Sequence, residues 1–272
     1  MNNIGSVSCF YPDDRSAYSD ENNAFFRNLS GINLPEKILF VIDTVREKNC
    51  TPFKLSTGAE YMPLFMMKRV VENFVCIKST IQRSHEYAIM TLNSQGARWI
   101  CDFTSNIKSI VGHLDIIDED TCEEDLSAYD LGQLFERIQS KVPLPPKKHT
   151  STLLPTFVTR VILMYSRSND IPKFLTSKKF FDNLTENWCF FIDVLYIHEP
   201  PDSKNLCEEI YAEMAMLDTA NYSYILEVGK NAAKLHDNMA KLLAHPLQRP
   251  SQKDACYTIY SSLNLQKTYT NT

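Results

Sequence analysis

The chain alternates short apolar runs with longer segments of mixed polarity. Residues 38–42 form a continuous apolar run that ends at Asp43, which predicts a strand buried on both faces of a parallel sheet. Apolar runs at 157–165 and 188–197 predict two more long strands, and residues 222–228 predict a final one. Because polar, helix-permitting sequence separates these runs, the pattern indicates an open α/β sheet.

Three segments have the period of amphipathic helices. The first has an apolar stripe of Leu64, Met67, Val71, Phe74 and Val75, and its outer positions are Lys68, Arg69, Glu72 and Lys78. The second has a stripe of Leu131, Leu134, Phe135 and Ile138. The third has a stripe of Val228, Ala232, Leu235, Met239 and Leu242, and its other faces are Lys230, Lys234, Asp237, Asn238 and Lys241.

A hairpin is predicted between the first two helices. Residues 86–92 and 97–103 are strand-like and flank the turn sequence Asn-Ser-Gln-Gly at 93–96, which places one antiparallel strand at a sheet edge. The predicted organisation is a disordered segment at 1–33, one α/β domain at 34–244 and an extended tail at 245–272.

Composition narrows the classes of protein and partner. The 272 residues are 44% apolar and 11% aromatic, which is enough for a sizeable core. The net charge of −5 disfavours nucleic acid as a partner. The eight cysteines form no Cys-x-x-Cys motif, and the sequence has no signal-like or membrane-length apolar run, so we expect an intracellular protein without a membrane partner.

Sequence motifs for catalysis are missing. None of the seven glycines lies in a G-x-G-x-x-G or phosphate-loop motif, and there is no G-x-S-x-G elbow. The six histidines form neither His-x-His nor His-Glu-x-x-His. The acidic run at 115–125 lacks the glycine of a calcium loop, and we interpret it as a solvated loop or, second, a docking site for a basic surface. We therefore predict no catalytic residue, no cofactor and no metal.

The residues after the first strand resemble a degenerate metal site. In von Willebrand A domains this strand ends in Asp-x-Ser-x-Ser, which binds magnesium. Here Val45 and Glu47 replace the hydroxyls, and Arg46 adds a cation. After the strand that ends at Tyr165, where that family carries an Asp, the sequence is Ser-Arg-Ser at 166–168. We expect no magnesium-dependent binding. The alternative function is a ligand-binding module that uses a metal-coordinating Asp43 loop.

Two charged residues interrupt apolar strands that we expect to be neighbours. Arg160 and Asp193 either pair with each other, because an isolated buried charge is costly, or each faces a sheet end or bonds locally.

The third helix runs into a proline-bounded peptide. Because Pro246 and Pro250 favour extended geometry, we expect residues 246–250 to leave the domain as an extended segment. Leu247 would then fill an apolar pocket of a partner, and Arg249 would meet its carboxylate or carbonyl groups. The domain is expected to stay folded when everything after Ala244 is removed. The predicted partner-binding residues are His245, Pro246, Leu247, Gln248, Arg249, Pro250, Tyr257 and Ile259.

Five motifs together resemble one family. They are PEKI at 35–38, SHEYA at 84–88, VILMYSR at 161–167, FFIDVLYIH at 190–198 and MAKLLAHPLQRP at 239–250. The chain resembles the von Willebrand A-like subunit shared by the BRISC deubiquitinase and the breast-cancer-one A complex, the MERIT-forty family. The resemblance implies a von Willebrand A-like (Rossmann-type) open, mostly parallel sheet with helices on both faces, an antiparallel edge strand and a degenerate metal site.

The same resemblance implies a non-catalytic scaffold. Its C-terminal segment would bind the subunit built of ubiquitin-conjugating-enzyme-variant domains. The zinc deubiquitinase, which cleaves polyubiquitin linked through the sixty-third lysine, and its pseudo-protease scaffold would belong to the same assembly as indirect partners. The expected location is the cytoplasm and the nucleus.

Overall fold

The computed structural model describes residues 33–121, 128–146 and 155–255. The strands are β1 (Glu36–Asp43), β2 (Val45–Arg46), β3 (Phe53–Lys54), β4 (Glu60–Tyr61), β5 (Glu86–Asn93), β6 (Gly96–Thr104), β7 (Asp120–Thr121), β8 (Ala128–Asp130), β9 (Val158–Tyr165), β10 (Ile171–Lys173), β11 (Phe190–Ile197) and β12 (Ile225–Val228). The helices are α1 (Pro63–Ile81), α2 (Ile107–Asp115), α3 (Leu131–Lys141), α4 (Lys179–Thr185), α5 (Cys207–Ala215) and α6 (Ala232–Lys241).

Six strands form the central sheet in the order β12-β11-β9-β1-β5-β6. The pairs among the first five are parallel, and β6 pairs with β5 in antiparallel orientation at the sheet edge. The carboxyl ends of β1 and β9 therefore lie side by side, and the loops that follow them meet at one edge of the sheet. The predicted open α/β architecture with one antiparallel edge strand is confirmed.

Helices cover both faces of the sheet. The apolar sides of α1, α2 and α6 pack on one face, and those of α3, α4 and α5 pack on the other. Every residue of β9 and of β11 is buried, which explains why their sequences are runs of apolar residues rather than alternating patterns. No helix in the described ranges is long and apolar enough to cross a membrane.

The predicted helices and hairpin are present, with three corrections at single positions. Val228 ends strand β12 and is not part of the last helical stripe. Lys78 and Asn238, which we expected on outer helix faces, are 2% and 3% exposed. Both are buried because other residues of the fold supply partners for their polar groups, which helical periodicity alone does not reveal.

Candidate functional site

The C-terminal segment, defined here as residues 245–255, folds back onto the domain. The backbone amides of Gln248 and Arg249 both donate to the carbonyl of His245, at 2.9 and 3.0 Å, and so form a turn. Pro246 and Leu247 are buried, whereas Gln248 and Pro250 are exposed. The predicted extended conformation is therefore wrong. The φ angle that proline fixes also suits a turn, and the side chains of this segment find partners within their own domain.

His245 fixes the start of the segment. One ring nitrogen, Nε2, lies 3.1 Å from the carbonyl oxygen of Leu34, and Nδ1 accepts from the amide of Leu247 at 3.1 Å. A neutral imidazole satisfies both bonds, with its proton on Nε2. Burial lowers the pKa of His245, which favours this neutral form.

Leu247 fills a small apolar cluster at the base of the sheet. Its buried neighbours are Leu34, Val158, Cys189 and Phe191. The side chain is 8% exposed, so its apolar surface is already covered within the chain. Our expectation that Leu247 enters a pocket of a partner does not fit this position.

Arg249 is the strongest attachment of the segment. Its guanidinium binds both carboxylate oxygens of Asp193, lies 2.8 Å from the carbonyl oxygen of Tyr222, and stacks 4.0 Å from the ring centroid of Tyr224. Asp193 also accepts from Arg160 Nε at 2.7 Å. The predicted pairing of Arg160 with Asp193 is confirmed, and Arg249 is a second, unexpected partner of the same carboxylate.

A second carboxylate extends these contacts to helix α1. Glu36 forms ion pairs with Lys78 and with Arg160, the latter at 3.2 Å. The same two cations donate to carbonyl groups after α6: Lys78 Nζ to Leu243 at 2.8 Å and Arg160 Nη1 to Leu242 at 2.7 Å. Cations are favourable at a helix C-terminus, so these bonds hold the chain where it leaves α6. We call Glu36, Lys78, Arg160, Asp193 and Arg249 the buried ion network.

Mutual pairing keeps the buried carboxylates ionised. Burial alone would raise the pKa of Asp193, but Arg249 and Arg160 hold it below its usual value. Burial would likewise raise the pKa of Glu36, but Arg160 and Lys78 lower it. Each carboxylate thus faces two cations, which reduces the cost of placing charge in the interior.

Side-chain amides close the outer edge of strand β12, which has no strand partner in the described part of the chain. Gln252 accepts from the Ile225 amide at 2.6 Å and donates to its carbonyl at 3.0 Å, as a neighbouring strand would. Asn238 donates to the carbonyl of Glu227 at 3.0 Å. The C-terminal segment therefore covers part of an edge that is otherwise open to pairing with another chain.

At the opposite end of the sheet, an arginine lies on the carboxylate that would hold a metal. Arg167 Nε and Nη2 lie 3.0 to 3.1 Å from the oxygens of Asp43. The same carboxylate accepts from the amides of Val45 at 3.2 Å and Ser166 at 3.1 Å. The oxygens of Asp43 are engaged by these donors, so the residues present do not fit a magnesium ion.

The other positions of this edge depart from a metal site in different ways. Arg46 points to Glu119, at 3.2 Å, and is not the cation that meets the carboxylate. Glu47 accepts from the amides of Ser168 and Asn169 at 2.8 and 2.9 Å, which ties the loop after β2 to the loop after β9. Within the described ranges, no cluster of three or more His, Cys, Asp or Glu side chains is arranged to hold a metal.

The predicted partner-binding residues thus divide into groups. His245, Leu247 and Arg249 hold the segment on its own domain, and Gln248 and Pro250 lie at the surface. Tyr257 and Ile259 lie outside the described residues. From the sequence we did not predict that Glu36, Lys78 and Gln252 hold the C-terminal segment in place. For Glu36 the available signal was a charged residue at the start of a strand, and for Lys78 it was a charged residue among the apolar residues of a helix.

The fold defines a class: a von Willebrand A-like domain, in which Arg167 binds the carboxylate at the end of the first strand. Two solved structures share the fold. They are the pilus adhesin SpaC from Lactobacillus rhamnosus GG (TM-score 0.51, 11% identity, 79% of this chain and 31% of that one) and the D319A mutant of the PilB minor pilin from Streptococcus sanguinis (TM-score 0.50, 7% identity, 79% and 62%).

Sequence relatives identify the family. The human protein "BRISC and BRCA1-A complex member 1" is 36% identical over 238 residues, which cover 84% of this chain and 69% of that protein. The rat protein of the same name is 35% identical over 238 residues (84% and 68%), and the Xenopus laevis protein is 33% identical over 234 residues (84% and 69%). This chain belongs to the family of BRISC and BRCA1-A complex member 1 proteins. No family model matches it.

Loss of the central carboxylate should be strongly destabilising. Asp193→Ala leaves the guanidinium groups of Arg160 and Arg249 without their shared anion, so we expect the free energy of unfolding to fall by roughly 3–5 kcal/mol. Urea unfolding of both proteins measures this difference. Glu72→Ala, which removes a partly exposed pair with Arg69, is the matched control and should cost less than about 1 kcal/mol. Similar losses in the two variants would contradict the central role of Asp193.

The burial of His85 next to the buried ion network should make stability depend on pH. Its Nδ1 accepts from the Glu36 amide at 2.9 Å, and burial lowers its pKa from 6.5 to about 4, against the opposing charge of Glu36. Below pH 6.5 His85 is protonated in the unfolded chain, whereas in the folded chain it becomes protonated only near pH 4. Stability therefore falls as pH falls, and this residue should contribute a loss of about 2 kcal/mol between pH 7 and pH 5.

The contribution of His85 is measured by difference. His85→Asn keeps an acceptor for the Glu36 amide and removes the titrating ring. Urea unfolding of the wild type and the variant at pH 7 and pH 5 should show a smaller loss for the variant. Lys78, Arg160 and His245 also face His85, and they remain in both proteins. An equal loss in the two proteins would assign the pH dependence to other groups.

Removal of the edge-covering amide should promote self-association. Gln252→Ala removes the acceptor of the Ile225 amide and one donor to the Ile225 carbonyl, to which the Tyr211 hydroxyl also donates at 3.5 Å. An uncovered strand edge pairs readily with another chain. Sedimentation velocity over rising protein concentration should show dimers or larger species that the wild type lacks. Lys253→Ala, which changes the exposed residue next to Gln252, is the control and should behave as wild type. Monomeric behaviour of both variants would overturn the assigned role of Gln252.

Proposed function

We propose that this chain is a non-catalytic scaffold subunit of a BRISC-type deubiquitinase complex. The observation that carries the proposal is its membership in a family whose relatives are named as members of the BRISC and BRCA1-A complexes, at 33 to 36% identity over most of the chain. In this proposal the zinc protease that cleaves polyubiquitin linked through the sixty-third lysine is a different chain. This subunit braces the assembly, in the cytoplasm and the nucleus.

The proposed direct partner is the subunit built of ubiquitin-conjugating-enzyme-variant domains. The zinc deubiquitinase and its pseudo-protease scaffold are indirect partners, and neither nucleic acid nor membrane takes part. What supports a C-terminal binding site is the way the buried ion network fixes the segment. Arg249 holds the chain against β11, and Gln252 holds it along β12, so the residues that follow Ala255 start from a defined place on the domain.

This attachment divides the partner-binding residues by role. His245, Leu247 and Arg249 position the segment, because their side chains are used within the domain. The partner would contact the exposed Gln248 and Pro250 and the strand-like sequence that contains Tyr257 and Ile259. A rigid attachment lowers the ordering cost of binding at the residues next to it.

Two truncations distinguish positioning from contact. Ending the chain after Ala255 keeps the segment and its ion pairs, so we expect a folded domain with an unchanged Tm and no co-purification with the partner subunit. Ending it after Ala244 also removes Arg249 and leaves Asp193 with one guanidinium fewer, so the domain itself should be destabilised. Differential scanning fluorimetry and co-expression with the tagged partner subunit measure the two effects separately.

A full-length variant refines this test. Tyr257→Ala combined with Ile259→Ala should lose co-purification, whereas the matched change of Thr268→Ala with Thr270→Ala should not. Full retention of the partner after truncation at Ala255 would move the interface to the globular surface, with the acidic run at 115–125 as the next site to examine. Absence of every complex subunit from purifications of the intact chain would refute the scaffold function itself.

A further inference from the structure

Arg167 lies in a closed cage at the carboxyl edge of the sheet. One side of its guanidinium meets Asp43, and Nη1 donates to the carboxylate of Asp170. The guanidinium carbon lies 4.8 Å from the ring centroid of Tyr129 and 5.4 Å from that of Tyr165. The side chain is 1% exposed. Two carboxylates and two aromatic rings thus surround a single cation.

The chemistry of this cage suits a planar cation better than a metal ion. A guanidinium forms paired bonds with a carboxylate and stacks on aromatic faces, and both kinds of contact are present. Magnesium instead requires six oxygen ligands in near-octahedral arrangement and keeps several waters. Val45 offers no side-chain oxygen, and the tyrosine rings fill the space beside the carboxylates with carbon.

We propose that Asp43, Asp170, Tyr129 and Tyr165 form a guanidinium-binding site whose permanent ligand is the side chain of Arg167. Since Asp43 also accepts from the amides of Val45 and Ser166, the bound guanidinium joins the loops after β1 and β9. Because this ligand is part of the chain, its binding does not depend on the concentration of a free ligand. The contacts at this edge are therefore formed without a divalent ion.

Chemical rescue tests this site. Arg167→Ala removes the ligand and leaves the carboxylates of Asp43 and Asp170 without it, so we expect Tm to fall by roughly 10 °C. Methylguanidinium, a free ligand of the same chemistry, should restore roughly 3 °C or more at about ten times its Kd. Methylammonium at equal ionic strength carries the charge without the planar fork and should restore less. Magnesium should change Tm in neither the wild type nor the variant.

Hydrogen exchange supplies a local measurement. In Arg167→Ala the amides of Val45 and Ser166 should exchange faster, and methylguanidinium should slow them again. Arg160→Ala is the control, because it removes a buried arginine from the other end of the sheet. In Arg160→Ala, methylguanidinium should not change the hydrogen exchange rates of the Val45 and Ser166 amides. Rescue of Arg167→Ala by magnesium, or no rescue by methylguanidinium, would overturn the proposal.

A second variant covers the case in which Arg167→Ala does not fold. Arg167→Lys keeps the positive charge but offers a point-like ammonium in place of the fork. We expect it to fold with a Tm clearly below that of the wild type and with faster exchange at Val45 and Ser166. A Tm equal to that of the wild type would show that charge alone suffices and would refute a site specific for guanidinium.

Discussion

The structure depends on the sharing of one buried carboxylate by two guanidinium groups. Asp193 lies in the middle of an entirely buried strand, where an unpaired charge would cost several kcal/mol. Arg160 reaches it from the neighbouring strand and Arg249 reaches it from beyond the last helix. The C-terminal segment is therefore ion-paired with the core of the domain. The buried negative charge of Asp193 is neutralised in part by Arg249, which lies in the segment that the sequence analysis assigned to a C-terminal tail.

Buried guanidinium groups hold the two ends of the sheet, with different consequences. At one end, Arg160 and Arg249 join the sheet to the residues that follow α6, and they give the C-terminal segment a fixed direction. At the other end, Arg167, which follows β9, binds the carboxylate of Asp43 at the end of β1. These contacts occupy the carboxylate of Asp43 at one end and brace the C-terminal segment at the other.

Polar side chains elsewhere in the domain also have defined hydrogen-bond partners. Lys78, Asn238 and Gln252 each donate to a backbone carbonyl: those of Leu243, Glu227 and Ile225, respectively. Buried polar groups with defined partners accept few alternative arrangements, because each misplaced group would leave an unsatisfied bond. The helices and the edge of the sheet are thereby fixed relative to the segment that we propose as the partner-binding site.

The sequence by itself determined the six strands of the central sheet, the three helices with clear apolar stripes and the hairpin, because these follow from periodicity and turn chemistry over a few neighbouring positions. It also pointed to Arg160 with Asp193, since charges inside apolar runs require partners. Only the tertiary structure showed that Arg249 shares that carboxylate, and that Arg167 reaches Asp43 across 124 positions of the chain. Those contacts depend on which strands lie side by side, and local sequence carries little record of that order.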